Sequence, residues 1–119
     1  MTSLLFLLPT KPIHYEKPVE KVIEPLATLY PALKPVCSCE SGNGKYGEPK
    51  QFNPDGSVRF GKINPLDTGM CQINQKYWLA KSKELGFDIF TEQGNIKMAN
   101  WIYEKQGLTP WDWSKECWK

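Results

Sequence analysis

Four cysteines constrain this chain more than any other feature, because 119 residues hold one domain with a small core. They are Cys37, Cys39, Cys71 and Cys117. A zinc site is one interpretation, but the cysteines lack the paired spacing of zinc ribbons and fingers, and the single histidine, His14, lies far from them. We therefore expect two disulfides, each typically stabilising by about 2–4 kcal/mol, with no metal and no cofactor. The spacing alone leaves three connectivities open.

The first 35 residues differ in composition from the rest. Six prolines between positions 9 and 35 favour an extended or broken-helical connector. The apolar run Leu4–Leu8 is too short to span a bilayer, and it lacks the flanking residues of a secretory signal. We expect residues 1–35 to form an apolar stub and a proline-rich lead segment, followed by one domain over residues 36–119. Part of the lead is expected to pack on the core, because four residues have the spacing of a short helix face: Leu26, Leu29, Tyr30 and Leu33.

Charge and composition exclude several classes of function. The net charge of +2 is small and the lysines are scattered, so we expect no nucleic-acid partner, although an anionic polymer such as a bacterial wall is slightly favoured. A nucleophilic triad needs a histidine that the domain lacks, and no glycine-rich phosphate loop is present in the sequence. Carboxylates remain as the candidates for chemistry.

Turn and capping residues predict the first half of the domain. Pro35 suits the first turn of a helix that continues through Val36–Ser41 and ends at Gly42. The turn residues Asn53–Gly56 predict a β-hairpin over residues 51–64.

The second half is predicted to be helical. One helix is expected over Gln75–Leu85, ending at Gly86. Another should begin after an N-cap at Thr91 and run to Gln106, with Gly107 beyond it. The predicted class is α+β, mostly helical, with a small antiparallel hairpin after the first helix and with disulfide cross-links.

Glu40 occupies the last turn of the first predicted helix, beside Cys39. If Cys39 is cross-linked, the glutamate is held against the core, where apolar surroundings disfavour its charged form and raise its pKa. A carboxylic acid that stays protonated near neutral pH can protonate a glycosidic oxygen as it leaves. Composition alone favours the simpler alternative, in which Glu40 is an ordinary residue at a helix end.

The segment from Asp67 to Asn74 is the second candidate. If it is extended, Gln72 and Asn74 lie on one side, where they could bond sugar hydroxyls or orient a carboxylate. Gly69 would let a polymer approach the backbone. An aspartate before a glycine is more often a turn residue, so both interpretations of Asp67 stay open.

Together these motifs resemble the lysozyme-like superfamily over about residues 36–118. The order resembles that of animal C-type lysozymes, in five steps: Glu40-Ser41, Asp55-Gly56-Ser57, Asp67 to Asn74, Tyr77-Trp78, and Trp111-Asp112-Trp113 with Cys117. One residue is missing between the last two tryptophans. The stretches Cys39–Gly42 and Gln106 to Cys117 are also similar to bacterial resuscitation-promoting factors and soluble lytic transglycosylases.

The resemblance implies a role for each carboxylate. Glu40 would be the general acid, and Trp111 would keep its pocket apolar. Under the C-type comparison Asp67 would be the partner carboxylate, although its distance along the chain from Glu40 implies a longer hairpin loop. Resuscitation-promoting factors and many lytic transglycosylases work without a second carboxylate, so Asp67 could instead be a structural hydrogen-bond acceptor.

The resemblance also implies the cysteine pairing and the substrate contacts. Cys39 would pair with Cys117, which leaves Cys37 to pair with Cys71. The expected substrate-binding residues are Gln72, Asn74, Tyr77, Trp78 and Trp111. Four other aromatic residues are expected to serve packing instead: Trp101, Tyr103, Trp113 and Trp118.

The expected activity is a muramidase that cleaves the β-1,4 bond between N-acetylmuramic acid and N-acetylglucosamine in peptidoglycan. The alternatives are a lytic transglycosylase that leaves 1,6-anhydromuramic ends, and a non-catalytic wall-binding module. The expected partner is the peptidoglycan glycan strand, bound by a monomer with no stable membrane span. We expect a secreted, cell-wall or periplasmic location, with a phage lysis or virion component as one form.

Overall fold

The computed structural model describes residues 25–119 as an α+β fold that is mostly helical, as predicted. The predictions that concern Leu4–Leu8 and His14 lie outside the described residues. The elements in chain order are α1 (Leu33–Ser41), β1 (Asp67–Thr68), β2 (Ile73–Asn74), α2 (Gln75–Leu85), α3 (Glu92–Gln106), a 3₁₀ helix (Thr109–Ser114) and α4 (Lys115–Trp118).

Helix α1 begins at Leu33, earlier than predicted, so that Pro35 lies in its first turn. It ends before Gly42 as expected, but Gly42 is not left-handed, with φ of −109°. A Cβ atom at this position would lie 2.4 Å from the carbonyl oxygen of Glu48. Lack of space, not a left-handed turn, therefore accounts for the glycine that ends this helix.

The small antiparallel sheet lies later in the chain than the predicted hairpin. Residues 51–64 form turns and take part in two isolated antiparallel bridges, Phe52 with Val58 and Phe60 with Thr68. The two paired strands are β1 and β2, in which Asp67 lies opposite Asn74. The predicted turn at Asn53–Gly56 is present, and the amide of Arg59 donates to the carbonyl of Gln51 at 2.9 Å across it. No ladder extends from this turn to residue 64, because the next residues bond forward along the chain: the amide of Gly61 donates to the carbonyl of Asp67 at 2.9 Å.

The segment that joins β1 to β2 reverses direction, so residues 67–74 are not the single extended stretch on which the common side of Gln72 and Asn74 depended. Gly69 has φ of 73° and Gln72 has φ of 50°, both in the left-handed region. The amide of Gln72 donates to the carbonyl of Gly69 at 3.1 Å, which closes the turn. Asp67 and Asn74 are thereby brought side by side.

Helices α2 and α3 have the predicted bounds, because local signals determine their ends. Gly86 ends α2 in the left-handed conformation, with φ of 75°. The Thr91 hydroxyl accepts a hydrogen bond from the amide of Gly94 at 3.0 Å and caps α3. Gly107 follows the last residue of α3.

Residues 26–30 do not form the predicted short helix. The amide of Ala27 donates to Gln93 at 2.7 Å, and the amide of Tyr30 donates to Asn100 at 3.0 Å. These side chains of α3 satisfy the backbone in place of helical hydrogen bonds, and Leu26 is left 79% exposed. Part of the lead does pack on the core, since the partly buried Leu29 lies against it.

The core lies among α1, the hairpin, α3 and the 3₁₀ segment. Its buried residues are Leu33, Val36, Cys37, Met70, Cys71, Ile73, Ile89, Ile96, Met98, Ala99, Ile102 and Trp111. Two disulfides join these elements, and they have the pairing that the resemblance implied: Cys37–Cys71 and Cys39–Cys117. All four sulfurs are therefore in disulfides, and none is free to ligate zinc. Within residues 25–119, no helix has the length and apolar character needed to cross a bilayer.

Candidate active site

A cleft crosses the molecule at the end of α1, and its two arms differ in character. The first, the aromatic arm, has a volume of about 520 Å³. It is lined by all seven predicted catalytic and substrate-binding residues: Glu40, Asp67, Gln72, Asn74, Tyr77, Trp78 and Trp111. The second, the polar arm, has a volume of about 460 Å³ and includes Arg59, Lys62 and Asn64. Glu40 and Asp67 line both arms, so the two carboxylates lie where the arms meet.

Glu40 is half-buried, and its surroundings raise the pKa of its carboxyl group above the ordinary value. Burial is the largest cause, since it disfavours the charged form. A hydrogen bond from Ser114 acts in the opposite direction, and the negative charge of Asp67 adds to the rise. A carboxyl group in this state holds its proton to a higher pH than an exposed glutamate does.

The end of α1 is tightly held, which fixes the backbone that carries Glu40. The buried Ser41 hydroxyl lies 2.7 Å from the Met70 carbonyl and accepts from the amide of Lys50 at 2.8 Å. Arg59 donates through Nη1 to the Ser41 carbonyl at 2.8 Å, while its Nε is buried with no hydrogen-bond partner among residues 25–119. Each contact adds to the restraint that the disulfide of Cys39 places on the same turn.

Asp67 is oriented by the residue that faces it across the hairpin. Asn74 donates through Nδ2 to Oδ1 of Asp67 at 2.9 Å. The other side-chain atom of Asn74, Oδ1, accepts from the amide of Lys76 at 3.0 Å and caps α2. Of the two roles expected for Asn74, the structure therefore shows the orientation of a carboxylate.

Gln72 lines both arms, and its amide group also supports the loop. Its Nε2 donates to the carbonyl of Gly69 at 2.9 Å. The expectation that Gly69 lets a polymer approach was wrong. A Cβ atom at position 69 would lie 2.4 Å from both Asn95 and Gln51, so this glycine makes room for two buried amide side chains.

The aromatic residues of the cleft fall into buried and exposed groups. Trp111 is only 4% exposed and donates through Nε1 to the Cys71 carbonyl at 2.9 Å. Trp78 is half-buried and meets Trp101 edge to face. Tyr77 is 70% exposed and Trp113 is 74% exposed, and both line the aromatic arm. Trp113 was predicted to serve packing, and that prediction was wrong, because its neighbours leave most of the ring in solvent.

Sequence reasoning missed Ser114, whose hydroxyl lies 2.6 Å from Oε1 of Glu40. The two residues are 74 positions apart, and a lone serine carries no motif. The pairing of Cys39 with Cys117 is the signal that could have revealed this contact, since it brings the residues beside each cysteine together.

Two further findings bear on identity. Within the described part of the chain, no three histidine, cysteine, aspartate or glutamate side chains cluster as metal ligands. Comparisons of the chain with protein-family models, curated proteins and solved structures found no match.

Proposed function

We propose that this chain is a muramidase that cleaves the β-1,4 bond between N-acetylmuramic acid and N-acetylglucosamine, with Glu40 as general acid. The observation that carries the proposal is the position of Glu40, a half-buried carboxyl with a raised pKa at the junction of two cleft arms. A second carboxylate, Asp67, lines the same junction. A protonated acid together with a carboxylate that stabilises the developing positive charge is the pair that most glycoside hydrolases use.

In this mechanism a glycan strand lies along the cleft with its scissile bond at the junction. Glu40 donates its proton to the glycosidic oxygen, which takes the bonding electron pair as the C–O bond breaks. Asp67 stabilises the positive charge on the sugar or bonds to the anomeric carbon. Water then adds at that carbon, and where Asp67 has bonded there its C–O bond breaks and the carboxylate leaves with the electron pair. The Glu40 carboxylate takes up the proton that the water releases.

The aromatic arm is suited to hold the sugars. The exposed rings of Tyr77 and Trp113 offer flat apolar surfaces on which a pyranose ring can stack. The buried Trp111 lines the same arm and adds apolar surface to the pocket that holds Glu40.

The proposed setting follows from the cross-links and from the substrate. Disulfides persist in oxidising environments, which supports a place outside the cytosol, where peptidoglycan is accessible. The order of motifs in the sequence resembles that of the lysozyme-like superfamily, and this resemblance supports peptidoglycan as the substrate. A wall-remodelling factor and a phage lysis or virion component both meet these conditions.

One observation favours a lytic transglycosylase as the second candidate. Asp67 accepts a hydrogen bond from Asn74 across the hairpin, which is the contact that a purely structural aspartate would make. In that reaction the 6-hydroxyl of the muramic acid attacks in place of water and leaves a 1,6-anhydro end.

The test of the general acid is digestion of purified peptidoglycan by wild type and by Glu40→Gln. Wild type should release soluble fragments, and the variant should be slower by roughly 100-fold or more, because general acid catalysis is lost. Glu84→Gln is the matched control, since Glu84 is exposed on α2 and pairs with Lys81 at 3.2 Å. Binding without product release, with Glu40→Gln indistinguishable from wild type, would establish a non-catalytic wall-binding module instead.

The role of Asp67 is tested by the masses of the products and by Asp67→Asn. Reducing ends, together with a loss of roughly 100-fold in the variant, would support the muramidase. Products with 1,6-anhydro ends, formed at a similar rate by Asp67→Asn, would establish the transglycosylase.

A further inference from the structure

The C-terminal segment places a single hydroxyl against the carboxyl group of Glu40. Ser114 Oγ lies 2.6 Å from Oε1 of Glu40 and 3.0 Å from the carbonyl oxygen of Trp111. A serine hydroxyl has one proton, so it can donate to only one of these two acceptors at a time.

The contact to Glu40 is the shorter of the two, and a carboxylate is a stronger acceptor than a backbone carbonyl, so the hydroxyl proton of Ser114 goes to Glu40. The indole of Trp118 lies beside the same hydroxyl. Its Nε1 is 3.1 Å from Ser114 Oγ and 3.3 Å from the carbonyl oxygen of Trp111. An N–H that also points at Oγ polarises the hydroxyl and strengthens the bond that it donates.

We propose that Ser114 is a positioning residue for the acid: it donates to Oε1 of Glu40, keeps the transferable proton on Oε2, and stabilises the carboxylate that remains after transfer. Its effect on catalysis rests on the proposed function, whereas its effect on Glu40 does not.

The proton balance of the step is complete without another group. The proton leaves Oε2 for the glycosidic oxygen, and the negative charge that it leaves is shared with Oε1, where Ser114 donates. A hydrogen bond to a charged acceptor is stronger than one to the neutral acid. The bond therefore strengthens as the proton departs, and it favours the transition state over the ground state.

The Cys39–Cys117 disulfide keeps this arrangement in place. Cys39 precedes Glu40 on α1, and Cys117 lies between Ser114 and Trp118 on the chain. The cross-link therefore ties together Glu40, the serine that donates to it and the indole that donates to that serine.

Other charges around Glu40 are unchanged by substitution at Ser114. Asp67 from β1 and Tyr77 from α2 line the cleft, and Arg59 and Lys62 line it from the loop that precedes β1. Among the described residues, those that line the cleft from α3 and the 3₁₀ segment are uncharged: Ile102, Gln106, Thr109, Pro110, Trp111, Trp113 and Ser114. A change in the titration of Glu40 in a Ser114 variant would thus report the lost hydroxyl.

The experiment is an NMR titration of isotope-labelled carboxyl groups in the full chain, with digestion of peptidoglycan measured in parallel. Ser114→Ala should raise the pKa of Glu40, because the carboxylate loses a donor. Ser114→Thr keeps the hydroxyl and should leave that pKa near the wild-type value. Trp118→Phe removes the indole donor but keeps an aromatic ring, and it should give a smaller rise in the Glu40 pKa than Ser114→Ala.

A second serine–carboxylate pair provides the matched control. Ser57 donates to the exposed Asp55 at 2.5 Å and lowers the pKa of that carboxyl, outside the cleft. Ser57→Ala should raise the pKa of Asp55 and leave that of Glu40 unchanged.

In digestion, Ser114→Ala should lower kcat roughly tenfold with little change in KM, and should move the alkaline limb of the pH profile upward. A Glu40 pKa that is unchanged or lower in Ser114→Ala would overturn the proposal. So would equal titration of Ser114→Thr and Ser114→Ala. If the pKa rises as expected while wild type releases no product, the positioning by Ser114 stands and the muramidase assignment fails.

Discussion

At the scale of single residues, Glu40 couples the proposed chemistry to stability. Burial raises its pKa in the folded state, so between the unfolded and folded pKa values the folded protein binds more protons than the unfolded chain. The free energy of unfolding must then fall as pH rises through that window. The contribution of Glu40 is fully present below the unfolded pKa, about 4.3, and is lost above the folded pKa.

Glu40→Gln should therefore gain stability relative to wild type as pH rises, because the amide stays neutral. Melting temperatures of both proteins at about pH 3 and about pH 8 measure the effect, since these values lie on either side of an ordinary glutamate pKa. The difference should favour the variant more at the higher pH. A Glu40→Gln difference that is the same at both pH values would contradict the raised pKa.

At the scale of elements, two buried amides hold the loop that carries Asp67. Asn95 on α3 donates to the carbonyls of Thr68 and Ile89 at 2.9 and 2.8 Å, and accepts from the amide of Cys71 at 3.0 Å. Gln51 accepts from the amide of Met70 at 2.9 Å. The position of the hairpin thus depends on side chains more than on its short strands.

Asn95→Leu should lower the free energy of unfolding by about 3 kcal/mol or more, because buried backbone groups lose their partners. Asn100→Leu on the same helix is the comparison, since Asn100 bonds to the exposed backbone of Thr28 and Tyr30. It should cost only about 1 kcal/mol. Urea unfolding measures both, and equal losses would contradict the special role of Asn95.

The difference between local and long-range contacts explains which elements can be predicted from the sequence. Gly86 and Thr91 act on their own neighbours in the chain, so the bounds of α2 and α3 follow from local patterns. The β1–β2 hairpin depends on Asn95, which is 24 positions from its partner Cys71. The position of this hairpin was not predicted from the sequence, because the contact is not local in the chain. Within the candidate site the seven predicted residues do meet, but the hydroxyl of Ser114 comes from a segment with no local signal.

At the scale of the whole molecule, the two disulfides differ in access to solvent. Cys37 and Cys71 are completely buried, whereas Cys117 is exposed. The bonds join residues that are 34 and 78 positions apart. Because each bond lowers the entropy of the unfolded chain, each should raise the free energy of unfolding by roughly 4 kcal/mol. The exposed bond joins the acid-bearing helix to the C-terminal segment, and the buried one joins that helix to the hairpin.

Mild reduction should open Cys39–Cys117 first. Product release should then fall while the far-ultraviolet circular dichroism persists, because the core keeps its buried cross-link. Mapping of alkylated thiols by mass identifies the opened bond, and a Cys39→Ser, Cys117→Ser double variant should behave like the reduced protein. Prior reduction of Cys37–Cys71, or full activity in the double variant, would contradict this division of roles.

The central claim is that Glu40 donates the proton, and the pH profile of kcat/KM for glycan cleavage tests it most directly. The alkaline limb of that profile reports the pKa of the essential acid in the free enzyme. We expect it to coincide with the Glu40 pKa measured by NMR in the same protein, above the ordinary glutamate value, and to move with it in Ser114→Ala. If the alkaline limb does not match the Glu40 pKa in both wild type and Ser114→Ala, the assignment of Glu40 as the general acid is contradicted.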